Sequence, residues 1–226
     1  MPASPPVKYN CGACGAAARP PFRPPQVESS PDLDLRPGEP ARSSLRKWIQ
    51  TCAVCEGCAP DLGRLGHAAT MLMGSPDYAG LKSPRYAAPF LRWALLCPQA
   101  ERAEALLMAA WMADDARDAA AAVKFRRQSI RNWPEGADLA SGLKLVDVMR
   151  RAGDLVDAER TAQALLGVAK DEMSFRILTF QLARVAAQDS GRQLLASAVP
   201  PPAHRPHVAV GRQKTAKGFW SRLLGR

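Results

Sequence analysis

Apolar and polar positions alternate with helical spacing over the second half of the chain. Leu139, Leu143, Val146 and Met149 recur three to four residues apart, which places them on one face of a helix. Similar patterns predict helices over about 100–116, 118–132, 136–151, 155–169 and 172–187. An earlier helix is expected from Ser83-Pro84, read as an N-cap and first helical position, through Cys97, where Pro98 ends it. Asp115 is the expected N-cap of the helix over 118–132. Short hinges at Pro134-Glu135-Gly136 and Gly153-Asp154 imply antiparallel neighbours. Residues 99–199 contain a single proline, Pro134, and are dense in Ala and Leu, so nothing local opposes helix there.

The helical pairs also repeat. Met149–Leu166 resembles the turn and second helix of a tetratricopeptide repeat, with Gly153 at the turn and small Ala158 and Ala162 where helices approach closely. One unit earlier Ala122, Ser129, Ile130 and Pro134 match its small-residue positions and terminal proline, and Ala122 to Ala158 is 36 residues. The aromatic signature of the first helices is missing, and Arg126 stands where an aromatic is usual. A generic α-hairpin bundle gives the same spacing. The expected core is helical under either reading.

The first 40 residues are different, because they hold half of the twenty prolines. Missing N–H groups and fixed φ oppose helices and central strands there, so a boundary is expected near Pro60. Within this segment Asp32-Leu33-Asp34-Leu35 and Trp48-Ile49-Gln50 read as short strands able to form a hairpin. If the first is extended, the Asp32 and Asp34 carboxylates share one face, where solvation is the simplest expectation. After Ser190 the chain reads as a flexible basic tail, whose apolar end Phe219–Leu224 could dock on a partner or touch an anionic surface. The expected organisation is thus a module over 1–60, a helical domain over 61–190 and a tail over 191–226.

Charge alters this picture little. Net charge is +10, distributed as +2 over residues 1–60, +1 over 61–190 and +7 over 191–226. By this division the basic footprint of a nucleic-acid-binding face is absent from the body. No stretch approaches the roughly 18 to 20 apolar residues of a bilayer span, and the first residues lack the pattern of a signal peptide, so a cytoplasmic protein is expected.

Chemistry concentrates in the cysteines. Cytoplasmic thiols are normally reduced, so C-x2-C pairs argue for metal or redox work rather than disulfides. Cys11-Gly12-Ala13-Cys14-Gly15 has the form of a zinc knuckle, and Cys52 and Cys55 can supply the second half of a closed four-thiolate site for one structural Zn2+. Such a site contributes on the order of 10 kcal/mol, enough to fold a proline-rich segment with little core. Two alternatives stay open. Cys11-Gly12-Ala13-Cys14 has thioredoxin-like spacing, although the following Gly15–Pro25 cannot make the required helix. Cys52, Cys55 and Cys58 match a ferredoxin-type run with Cys97-Pro98 as a distant fourth ligand, which leaves Cys11 and Cys14 without a role. The three histidines, His67, His204 and His207, form no legible catalytic cluster, and no phosphate-cradling loop or nucleophile elbow occurs.

Ser30–Pro37, Trp48-Ile49-Gln50, and Cys52-x2-Cys55 followed by Cys58-Ala59-Pro60-Asp61-Leu62 together resemble an uncharacterised bacterial family. That family joins a split two-knuckle zinc ribbon to a tetratricopeptide-like helical region. The resemblance implies Cys11, Cys14, Cys52 and Cys55 as zinc ligands. The chain departs from the pattern with Ala53 in place of a proline and Glu56 in place of glycine.

The resulting expectation is a mainly α protein with a small N-terminal zinc-ribbon-like β module, a helical hairpin-repeat domain and a basic tail. Its expected role is non-enzymatic: an interaction or scaffold protein that recognises a protein partner on stacked helix pairs. A nucleic-acid-binding ribbon is the alternative, followed by a redox or iron-sulfur protein.

Overall fold

The computed structural model describes residues 8–200. They are mainly helical, with a small β element beside a cysteine cluster. In chain order the elements are strands β1 (Gln50–Thr51) and β2 (Cys58–Ala59), then helices α1 (His67–Met73), α2 (Pro76–Gly80), α3 (Ala88–Leu96), α4 (Gln99–Asp115), α5 (Ala119–Arg131), α6 (Leu139–Arg151), α7 (Leu155–Leu166), α8 (Glu172–Ala186) and α9 (Leu195–Ala198). Short 3-10 turns cover Arg42–Lys47 and Leu62–Arg64. No helix among these residues is long and apolar enough to cross a membrane.

The five helices expected from periodicity between 100 and 187 are α4 to α8. Three of them, α5, α6 and α8, start on side-chain caps: Asp118, Asp138 and Asp171 accept from the backbone N–H of Ala121, Ser141 and Ser174 at 3.0, 2.8 and 2.8 Å. Asp118, not Asp115, therefore caps α5. α4 runs through Asp115, and the chain reverses at Arg117, whose φ is +58°. The helix expected from Ser83 begins at Ala88 instead. Pro89 is the reason: a helix starting at Pro84 would carry Pro89 beyond its first turn, where a missing N–H breaks the ladder, whereas a start at Ala88 keeps Pro89 inside that turn. The end at Cys97-Pro98 is as expected.

The chain divides into two compact units, and both are discontinuous. The first comprises residues up to 25 and 43–135, and the second 26–42 and 136 onward. The boundary expected near Pro60 lies inside the first unit, because β2 packs on α3. The expected hinge at Pro134-Glu135-Gly136 does mark a crossing between units, with Gly136 at φ +66°.

In the first unit α4 packs on both α3 and α5 and is buried nearly all round, from Ala103 through Ala113. The Ser129 hydroxyl on α5 donates to the Ala103 carbonyl at 2.8 Å, so the small residue lets two helix backbones approach. Arg126, 2% exposed, grips Asp114 with both arms of its guanidinium at 3.1 and 2.6 Å. The buried charge of Arg126 is thus accommodated by a forked ion pair.

The second unit packs α6 on α7 and α8, and α8 on α9. Val146, Ala158, Ala162, Leu178 and Val185 form one core cluster, and Leu33, Ile177, Leu195 and Ala198 another. Leu33 belongs here because Asp32–Leu35 is not a strand of the ribbon hairpin. Asp32 bridges antiparallel to Leu194, and the chain then turns, with the Leu35 N–H donating to the Asp32 carbonyl at 3.0 Å. The expected start of the tail is corrected with it. Residues 191–200 pack, with Leu195 N–H on the Pro31 carbonyl at 2.9 Å and Ala196 N–H on the Ser30 hydroxyl at 3.0 Å. The rest of the expected tail, with His204, His207 and Phe219–Leu224, lies outside the described residues.

Candidate metal centre

Two knuckles build the cysteine cluster, and they are superposable in their bonding. In the first, Gly15 N–H donates to the Cys11 carbonyl at 2.7 Å, Cys11 N–H to the Ala16 carbonyl at 2.8 Å, and Asn10 pairs with Ala17. In the second, Glu56 N–H donates to the Cys52 carbonyl at 3.0 Å, Cys52 N–H to the Gly57 carbonyl at 2.8 Å, and Thr51 pairs with Cys58. The residue after the second cysteine is left-handed in both, with φ +73° at Gly15 and +58° at Glu56. That conformation is easy for glycine and strained for glutamate. Cys58 occupies in the second knuckle the strand position that Ala17 holds in the first.

The four sulfurs of Cys11, Cys14, Cys52 and Cys55 all lie within 4.8 Å of one another. Cys11 to Cys55 and Cys14 to Cys52 are 3.7 Å apart. A tetrahedron with metal–sulfur bonds of about 2.3 Å has edges of about 3.8 Å, so the arrangement can hold one metal ion. The knuckles are brought together by close backbone approach. Gly12 N–H donates to the Leu62 carbonyl at 2.9 Å, and a Cβ on Gly12 would lie 2.1 Å from the Leu65 carbonyl oxygen.

Protons on this cluster are unevenly held. Burial pushes the Cys52 thiol up, but N–H groups of Cys55 and Val54 and its thiol neighbours outweigh it and bring the group down to about 7. Cys55 is pushed up to about 12, by burial first and then by the thiols of Cys52, Cys14 and Cys11. Four sulfurs this close do not all ionise without a cation among them, which is the chemistry of a metal-binding donor set.

Cys58 and Cys97 stand apart from the cluster. Cys58 is fully buried, within 3.3 Å of the Thr51 hydroxyl and 3.5 Å of the Glu56 carbonyl. Cys97 ends α3 with its thiol on the Ala94 carbonyl at 3.7 Å, and burial pushes it up to about 11. His67 is the exposed first residue of α1.

Sequence reading missed the brace behind the second knuckle. The Tyr78 hydroxyl donates to the Glu56 carbonyl at 2.8 Å, Arg92 on α3 lies 3.2 Å from the Glu56 carboxylate, and the Arg92 guanidinium stacks on the Tyr78 ring at 5.1 Å. The periodicity of α3 does not reveal it, since Arg92 reads as an ordinary polar position.

The second unit holds another unforeseen feature. Asp32 and Asp34, expected to be solvated, are 1% and 0% exposed. Arg151 reaches Asp34 at 2.8 Å, and Arg192 reaches Asp32 at 2.7 Å. Nearby Arg150 binds Asp147 at 2.6 Å and the carbonyls of Asp189 and Gly191. An apolar pocket of about 310 Å³ lies in the same unit, lined by Leu33, Leu35, Leu139, Leu143, Ile177 and Leu195, with Lys144 and Asp171 as charged groups.

Comparison of the chain with protein families, curated proteins and solved structures returns no match.

Proposed function

We propose that Cys11, Cys14, Cys52 and Cys55 hold one structural Zn2+ and that the protein is a cytoplasmic scaffold that binds a protein partner through its helices. The observation that carries the metal reading is the donor set: four thiolates at tetrahedral spacing, with no histidine or carboxylate among them. Soft thiolate donors in that geometry favour zinc or iron. A ferredoxin-type cluster on Cys52, Cys55 and Cys58 is disfavoured because Cys58 bonds to Thr51 and Glu56 and lies outside the four-sulfur group. The resemblance to bacterial proteins that join a split ribbon to tetratricopeptide-like helices supports the same reading. For partner binding, the support is apolar surface on the second unit: exposed Val156, Val168 and Phe175, and the pocket of about 310 Å³.

Metal analysis of the protein purified without added metal tests the first half. One zinc per chain is expected, and cobalt substitution should give the intense thiolate-to-metal absorption of a four-sulfur site. Cys52→Ser should abolish binding of the ion while Cys58→Ala retains it. A brown protein carrying iron, or zinc retained by Cys52→Ser and lost by Cys58→Ala, would overturn the assignment. Crosslinking from native extract tests the second half, which fails if nothing is captured at the second unit or if Phe175→Glu leaves the captured protein unchanged.

A further inference from the structure

Counting charge along the chain hides how it is distributed in the folded protein. Residues 1–25 and 43–135, the first unit, carry fifteen Lys/Arg and nine Asp/Glu, a net +6. The described part of the second unit, 26–42 and 136–200, carries ten and twelve, a net −2. The segment 26–42, with four acids and two arginines, makes the difference: it lies inside the N-terminal block of the sequence but belongs to the second unit. Among the described residues the basic excess therefore gathers on the unit that holds the cysteine cluster. A zinc ion with four thiolates has a formal charge of −2 and leaves that unit basic.

The same unit contains a cleft of about 640 Å³ beside the second knuckle. Its walls come from the segment after the first knuckle, from the turn leading into β1 and from the second knuckle itself. Arg19, Arg46 and Lys47 line it together with Phe22, Gln50 and Thr51, and no acidic residue does. The three cations are exposed. Phe22 is half-buried, with the Lys47 ammonium 5.8 Å from its ring centre. Gln50 ties the walls together by donating to the Pro20 and Pro60 carbonyls at 3.1 and 3.3 Å. Cations in a groove track a phosphate backbone, and an aromatic face beside them gives a base a surface to stack on.

We propose that this cleft binds single-stranded nucleic acid, with Arg19, Arg46 and Lys47 on phosphates and Phe22 against a base. The proposal goes beyond the scaffold reading and depends on the metal only for the folding of the unit. The favoured ligand is a single strand rather than a duplex, since a duplex offers phosphates but no free base face.

Fluorescence anisotropy of the full zinc-loaded chain with a labelled oligo-dT and a labelled oligo-U tests it, with metal content and melting recorded for every variant. Arg19→Ala/Arg46→Ala/Lys47→Ala is expected to weaken binding at least tenfold and to flatten the slope of log affinity against log salt by about 2, the value for three phosphate contacts on a single strand. Phe22→Leu, which keeps bulk but removes the stacking face, should weaken binding about tenfold with the salt slope unchanged. Lys82→Ala/Arg85→Ala/Lys124→Ala removes equal charge from the same unit outside the cleft and should change affinity less than twofold. If the alanine set loses metal, the corresponding glutamine set is read in its place. The proposal is overturned if the wild-type chain does not bind, if both charge sets weaken binding equally, if Phe22→Leu is silent, or if polyglutamate of matched charge competes as well as the oligonucleotide. Loss of zinc binding in the wild-type preparation would instead count against the metal reading, so the two failures are distinguishable.

Discussion

Glu56 is the residue at which the two knuckles differ most in cost. Its left-handed backbone is strained by roughly 1–2 kcal/mol relative to glycine, while its carboxylate, 66% exposed, faces Arg92 at 3.2 Å. An exposed ion pair of this kind contributes about 0–1 kcal/mol. Comparison of two variants separates the terms. Glu56→Ala keeps the strain and loses the ion pair, and Glu56→Gly loses both. Thermal unfolding of the zinc-loaded protein should place the glycine variant above the alanine variant, by about 1 kcal/mol after glycine's extra unfolded-state entropy is counted. An alanine variant as stable as the glycine one would show that the backbone conformation is unstrained.

Asp147 makes a second prediction at this scale. It is fully buried, and burial pushes its carboxyl up to about 6 despite Arg150, with Asp34 adding to the shift. One of its oxygens accepts no hydrogen bond. A folded-state value above the unfolded one means that the proton is bound more tightly in the native protein. The associated stability is complete below about pH 3.8 and is lost as pH rises through about 6. Asp147→Asn, which cannot ionise, should therefore gain on the wild type between pH 4 and 7, by on the order of 1–3 kcal/mol. Urea unfolding of both proteins across that range is the check, and a difference independent of pH would contradict it.

At the scale of elements, what was legible followed from local rules. Helices α5 to α8 appear in the 3.6-residue period, because each buries one face, whereas α4, buried nearly all round, is legible from its Ala- and Leu-rich composition after Pro98. The gathering of Cys11, Cys14, Cys52 and Cys55 was legible for the same reason, since a knuckle is a local turn with its own spacing. Segment 26–42 was not legible. Pro31–Leu35 has the alternation of a strand, but its partner, Leu194, lies about 160 residues away, and no local pattern names it. The same remoteness concealed Arg151 and Arg192 as partners of Asp34 and Asp32, so buried carboxylates read as solvated ones. Leu33 tests this assignment, being 2% exposed in a cluster with Ile177 and Leu195. Leu33→Ala should cost about 2–4 kcal/mol, lower the unfolding transition of the second unit and leave the zinc content at one per chain. A variant that lost zinc with unchanged exchange protection in α6 and α8 would return the segment to the ribbon.

For the whole molecule the consequence is that the candidate metal site lies within one unit. The Gly12 contact with the 62–65 backbone, the Tyr78–Glu56 bond and the packing of β2 on α3 tie the cysteine cluster to helices α2 and α3 of that unit. The second unit has its own core clusters and its own buried ion pairs, and no cysteine lies within its described residues. Removing the proposed metal would leave four crowded thiols whose ionisation is mutually opposed, and the two knuckles would lose the link that offsets their small apolar core. Chelation is therefore expected to act unequally. Hydrogen exchange after metal removal should accelerate across residues 8–25 and 50–65 and spread into α3, where Arg92 and Tyr78 brace the second knuckle. Amides in α6 and α8 should keep their protection, because Val146, Leu178 and Val185 pack independently of any sulfur. Restored zinc should restore the slow exchange. Equal loss of protection in α6 and α8 would mean that the two units unfold as one cooperative body, and equal retention throughout would mean that the helices of the first unit hold the knuckles without an ion.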